Sequence, residues 1–184
     1  MKKQTFILKN HNKEEKNIVV EVSLEIKQKR VNIEYRVTGE IDNYIFETFM
    51  ESEALMRLKS SSPIRANNLW KSTCFELFIA PKENLNYWEL NISSSTKWNF
   101  YAFDSYKENM REERDISIPN IEIVQKENLY FISCEFNLRE IIPKQSNFNL
   151  AVILLDRNCV RHFYSINRKG GVVDFHDKKY WNSF

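Results

Sequence analysis

The stretch Leu69–Met110, LWKSTCFELFIAPKENLNYWELNISSSTKWNFYAFDSYKENM, decides how the rest of the chain is read. Cys74–Ala80, Tyr87–Ser93 and Trp98–Asp104 read as consecutive strands joined by short polar turns. A strand sends successive side chains to opposite faces. One face of this segment is therefore largely apolar. The other mixes Glu76, Glu89 and Asn91 with hydroxyls and large rings, a mixture that suits a concave face gripping a polar molecule with flat apolar sides.

The same period of two runs outward in both directions. Val20, Val22, Leu24 and Ile26 alternate with Glu21, Ser23, Glu25 and Lys27. Val31, Ile33, Tyr35 and Val37 alternate with Asn32, Glu34, Arg36 and Thr38, so the two runs predict a hairpin about Gln28-Lys29-Arg30. Further strands are expected near Tyr44–Glu47, Ile121–Gln125, Leu129–Phe136, Asn147–Asp156 and Arg161–Asn167. Between Thr48 and Asn68, residues Phe49, Glu51, Ala54, Leu55, Met56 and Leu58 allow a short helix, ended by Ser60-Ser61-Ser62-Pro63. Leu138–Ile142 has the sequence of one helical turn stopped by Pro143, and the charge-dense Ser105–Ser117 reads as a mobile loop. About ten strands spaced roughly 8–14 residues apart, without alternating helices, predict one all-β domain spanning residues 1–184. The expected architecture is an antiparallel β-sandwich of immunoglobulin-like or jelly-roll type with one or two short helical turns. A closed barrel is the competing all-β solution.

Composition narrows the function classes. With 27 Lys and Arg against 25 Asp and Glu, nothing calls for a polyanionic partner, and nucleic acid is not expected. The N-terminal apolar run Phe6-Ile7-Leu8 is shorter than the ~7–15 residues of a signal-peptide core. No stretch approaches the ~18 apolar residues of a membrane helix. The odd count of 3 Cys, two of them in apolar strands, points to buried free thiols and a cytoplasmic protein.

The turn between Ala80 and Tyr87 sets the register of the aromatic hairpin. Pairing about Lys82-Glu83 places Glu76 opposite Glu89; pairing about Glu83-Asn84 places it opposite Asn91. Both put Glu76, Glu89 and Asn91 on one face, with Trp88, Leu90 and Ile92 on the reverse. Pairing about Glu83 itself would separate them. Two close carboxylates repel unless cations or donors compensate, and Lys71, Arg161 and Arg168 are the candidates. The constellation reads either as a site for a hydroxyl-rich ligand, with Trp70 and Trp98 as stacking surfaces, or as an internal polar network under packed aromatics. Glycoside cleavage by Glu76 and Glu89 is not expected. Directly opposed strand residues lie ~5 Å apart at Cβ, and nothing else marks a nucleophile or its base. The triad Asp174, His176 and Asp177 could ligate a cation or form a polar turn that Gly170-Gly171 makes possible.

LWKSTCFELFI, then YWELNISSSTKWNFYAFDSY, then YSINRKGGVVDFH resemble the DOMON-like proteins related to family 9 carbohydrate-binding modules. Leu69–Met110 and Tyr164–His176 carry the likeness. The resemblance implies a β-sandwich that binds a sugar or, in other branches, haem, with Ca²⁺ as a structural ion. Carried over by position, it implies ligand-binding roles for Trp70, Glu76, Glu89, Asn91, Trp98 and Tyr101. The expected function is non-catalytic binding of a saccharide or similar polyhydroxylated molecule, at a site holding at least two of Trp70, Trp88, Trp98 and Tyr101. Two alternatives stand beside it: a protein-interaction domain with no small ligand, and a haem domain using Met110 with His162 or His176.

Overall fold

The computed structural model describes residues 3–12, 17–47, 56–60, 63–117, 119–138, 145–168 and 170–183, with 56–60 described by backbone alone. In chain order the strands are β1 (Gln4–Ile7), β2 (Lys9–Asn10), β3 (Ile18–Lys27), β4 (Arg30–Gly39), β5 (Met56–Ser60), β6 (Cys74–Pro81) and β7 (Tyr87–Ser93). They continue with β8 (Trp98–Phe103), β9 (Arg111–Glu112), β10 (Asn120–Lys126), β11 (Leu129–Asn137), β12 (Ser146–Leu155), β13 (Arg161–Ser165) and β14 (Asn182–Ser183). Two antiparallel sheets result. The first runs β1-β3-β4-β11-β10-β5; the second runs β2-β13-β12-β6-β7-β8-β9, with β14 added beside β12. The architecture is a β-sandwich with separate edges, not a closed barrel.

Alternation builds the first sheet. Val20, Val22 and Leu24 of β3 and Val31, Ile33 and Val37 of β4 turn inward and are buried, while Glu21 and Arg36 face out as a cross-strand pair. The β3–β4 turn is tight, with Lys27 paired to Arg30 and Gln28 in the left-handed region at φ 55°. At the other end of the hairpin, Gly39 sits at φ 110° with Asn17 so close that an added Cβ would lie 1.8 Å from its carbonyl oxygen. Only glycine fits there.

The second sheet differs because both of its faces are covered. Every residue of β6 and β8 is buried. Phe75, Leu77, Leu90, Ile92 and Phe100 meet the first sheet in the main core. Phe78, Ala80, Tyr87, Phe103 and Ile153 form a smaller cluster on the outer side with Phe175 and Trp181. Two phenols of the main core find acceptors across it: Tyr35 Oη donates to the Glu76 carbonyl at 2.8 Å, and Tyr130 Oη to the Ser94 carbonyl at 2.9 Å. These bonds tie the two sheets and remove the cost of burying a bare hydroxyl.

Several expectations need correction. Met56–Ser60 is an edge strand paired with β10, not part of a helix. Its apolar residues 56 and 58 fit a period of two as well as a helical one. The remainder of that expected helix, residues 48–55, lies outside the described residues, as do residues 139–142 of the expected turn before Pro143. The expected Tyr44–Glu47 strand is only a single bridge from Tyr44 to Asp156, directly after a 3₁₀ turn at Ile41–Asn43. Ser105–Ser117 is anchored by a Ser105–Glu108 bridge, by β9 and by an Ile116–Leu138 bridge.

Candidate functional site

The register of β6 on β7 pairs Glu76 with Asn91 and Phe78 with Glu89, which centres the turn on Glu83-Asn84. Glu76, Glu89 and Asn91 therefore share the outer face of the second sheet. Both carboxyl groups line a cleft of about 570 Å³, although Glu76 is only 2% and Glu89 5% exposed. Trp70, from the 3₁₀ turn Leu69–Lys71 leading into β6, stands at one side. Phe103 of β8, Ile153 of β12 and Phe163 of β13 extend the apolar lining. The segment Val173–His176 completes the lining.

That segment is held by its own anchors. Trp181 Nε1 donates to the Phe175 carbonyl at 2.9 Å, and its ring packs on Phe78 and Tyr87. Asn149 Nδ2 donates to the same carbonyl at 3.1 Å. Lys178 Nζ reaches the carbonyls of Asn84, Leu85 and Asn86, stitching the segment to the β6–β7 turn. Asp177, for its part, caps the 3₁₀ turn Lys178–Tyr180 through Lys179 N.

A hydrogen-bonded chain runs beneath the cleft. Cys74 Sγ lies 3.6 Å from Asn91 Oδ1 as donor, and Asn91 Nδ2 donates to Glu89 Oε1 at 2.7 Å. His176 Nε2 lies 3.9 Å from Glu89 Oε2, and Nδ1 lies 2.8 Å from Tyr87 Oη. Because Tyr87 Oη already accepts from Lys107 N at 3.1 Å, its proton is free for Nδ1. With Tyr87 Oη donating to Nδ1, the neutral ring carries its proton on Nε2, which faces Glu89.

Burial dominates the electrostatics. It pushes the Glu76 carboxyl well above the usual range, and the neighbouring Glu89 adds to this. Burial likewise raises Glu89 to about 7, with Asn91 and Lys107 working the other way. His176 is lowered to about 4, again by burial first and by Lys107 second, so the ring is neutral at pH 7. Asp174 stays below its ordinary value despite burial, because Tyr106, Lys107 and the His176 amide all donate to it. Its ion pair with Lys107 Nζ measures 3.1 Å. Of the compensators expected from sequence, Arg161 lines the cleft, but the cation that acts on Glu89 is Lys107, which sequence reading did not single out.

The six carried-over residues divide. Trp70, Glu76 and Glu89 line the cleft, and Asn91 supports it from beneath. Tyr101 lies on the same face but opens, with Asn67 and Glu112, into an adjoining groove of about 350 Å³ that shares Trp70 and Met110. Trp98 is not at the site. It is 1% exposed in the main core, donates from Nε1 to the Pro63 carbonyl, and carries the Arg65 guanidinium 4.2 Å from its ring centre. Its pairing with inward-facing Ile92 fixes it there. Trp88 faces the same core, leaving Trp70 as the one indole in the cleft among the described residues.

The proposed cation ligands also separate. Asp174, His176 and Asp177 turn to different partners, and no cluster of three or more His, Cys, Asp or Glu side chains suited to a metal occurs among the described residues. For haem, His162 is buried against Asp156 at 2.9 Å, away from Met110; Met110 and His176 both line the cleft, but both His176 nitrogens face other partners. Phe163, Phe175 and Lys107 were missed as site residues. Only Phe163 follows from alternation, since it shares a face with Arg161.

No family model matches the chain, and no curated protein does. Solved structures do. A candidate carbohydrate-binding protein from Bacteroides uniformis superposes with a TM-score of 0.66 over 99% of this chain and 84% of its own, at 10% identity. A family 9 carbohydrate-binding module from Caldicellulosiruptor kristjanssonii in complex with cellotriose superposes with a TM-score of 0.54, over 98% of this chain and 80% of its own, at 9% identity. A glucose complex of such a module from the same organism gives 0.53, over 97% and 82%, at 8% identity. The chain thus has the fold of a carbohydrate-binding module.

Proposed function

We propose that this chain is a non-catalytic, saccharide-binding sandwich, a DOMON-like relative of family 9 carbohydrate-binding modules, and that the Trp70 cleft is its binding site. One observation carries the reading: two buried carboxyl groups form the floor of an open cleft whose sides are rings. A pyranose has apolar C–H faces for Trp70, Phe103 and Phe163 and hydroxyls for Glu76, Glu89 and the groups around them. The fold's occurrence in modules complexed with cellotriose and glucose supports it. The reading assigns binding without bond cleavage. Three unpaired thiols, Cys74, Cys134 and Cys159, fit a reducing compartment such as the cytoplasm.

Isothermal calorimetry against a panel of mono- and oligosaccharides tests the reading. Binding by at least one sugar, lost in Trp70→Ala while the variant remains folded, is the expected result. Silence across the panel, or binding unaffected by Trp70→Ala, would overturn it.

A further inference from the structure

The cleft's two floor carboxyl groups lack a cation. Glu76 has no ion-pair partner among the described residues; the Cys74 thiol is its hydrogen-bonding neighbour. Glu89 has the Asn91 amide and, at 3.9 Å, a neutral imidazole. Lys107, the cation that acts on Glu89, is committed to Asp174 at 3.1 Å. Arg161 is exposed and lies over the Phe163 ring, 5.7 Å from its centre. Buried carboxylates are ordinarily paired or hydrogen-bonded, since an isolated buried charge is costly. Here both open into a cavity walled by aromatic rings, which themselves attract cations.

The strand register sets the spacing. Glu76 stands opposite Asn91, and Glu89 is two residues along the same strand, so the two acids are diagonal neighbours, ~7–8 Å apart along the backbone. Both carboxyl groups line the same cleft, so one ligand group can meet both. A neutral hydroxyl leaves the buried acids in their protonated form, the state that burial favours. An ammonium supplies three donors and favours the ionised form of the acids, converting them into charge-assisted acceptors.

We propose that the preferred ligand carries a protonated amine, an amino sugar rather than a neutral one, with its ammonium seated between Glu76 and Glu89. The proposal rests on the saccharide reading of the cleft and names the class of sugar. Groups facing the acids from each packed element are Cys74 of β6, Tyr87 and Asn91 of β7, Tyr101 of β8, Lys107 after β8, Arg161 of β13, and Asp174 with His176. Of these, Glu89 itself changes charge near neutrality, so seating a cation expels a proton from the acid pair.

Glucosamine, glucose and N-acetylglucosamine, measured by calorimetry on the intact protein at pH 5.5 and pH 7, distinguish the outcomes. Glucosamine is expected to bind at least tenfold tighter than glucose or N-acetylglucosamine at pH 7. Its advantage should shrink at pH 5.5, where the acids are protonated while the amine remains charged. At pH 7, heats measured in two buffers of different ionisation enthalpy should reveal proton release for glucosamine alone. Glu76→Gln and Glu89→Gln should each reduce the glucosamine-to-glucose ratio towards one. A ratio of one or less in the wild type, or a ratio that ignores pH, overturns the amine proposal and leaves the saccharide reading standing if glucose binds. Failure of all three sugars to bind counts against both.

Discussion

Replacing Glu89 by Gln should stabilise the protein at alkaline pH and leave it nearly unchanged in acid. In the unfolded chain this carboxyl ionises near 4.5, whereas in the folded protein burial delays it to about 7. Between those values the unfolded state releases a proton that the native state still holds, so stability falls as pH rises. At about 1.4 kcal/mol per pH unit, the gap costs the wild type about 3 kcal/mol by pH 8. Below the unfolded value the acid is protonated in both states, and the penalty is absent. Glutamine keeps the shape and can still accept from Asn91 Nδ2, so it removes the penalty and retains the 2.7 Å bond. Urea unfolding should show the variant about 2–3 kcal/mol more stable at pH 8, and within about half a kcal/mol of wild type at pH 4.5. The matching rise in melting temperature at pH 8 is roughly 5–10 °C. A variant less stable than wild type at pH 8, or a difference independent of pH, would refute the buried-acid reasoning.

His176→Gln tests the opposite sign. The native ring resists protonation until about 4, against 6.5 when free, so wild-type stability falls as pH drops through that window, by about 3 kcal/mol in total; the variant's unfolding should lose this acid-side slope between pH 4 and 7. Trp98→Ala should cost ~3–5 kcal/mol of stability, and the affinity per folded molecule should change less than twofold, because the ring lies in the main core; a selective loss of sugar binding would return Trp98 to the site. Gly39→Ala should destabilise by at least ~2 kcal/mol, measured by denaturant unfolding, since its Cβ would collide with the Asn17 carbonyl at a φ of 110°.

How far the sequence could be read follows from what each residue depends on. Residues 20–37 alternate cleanly because one face of β3 and β4 meets solvent, so the first sheet was legible from period alone. The second sheet is covered on both sides, and there apolar residues occupy both parities. Trp98 and Tyr101 looked equivalent by type, yet one faces the core and the other the outer groove. The partner strand held the missing information: Ile92, already read as inward, pairs with Trp98. Glu76, Glu89 and Asn91 were legible because two of the three possible registers place them together. Lys107 and Phe175 were not, because they reach the cleft from connecting segments that obey no period.

The cleft joins parts of the chain that are far apart in order of synthesis. Its floor comes from adjacent hairpins, β6–β7–β8, whose contacts close short loops. One wall, Val173–His176, is roughly a hundred residues away and docks through Trp181 and Lys178. Local pairing forms sooner than long-range closure. Refolding molecules should therefore regain sheet signal before they can recognise a ligand, with capture of the ligand reporting the last step of assembly.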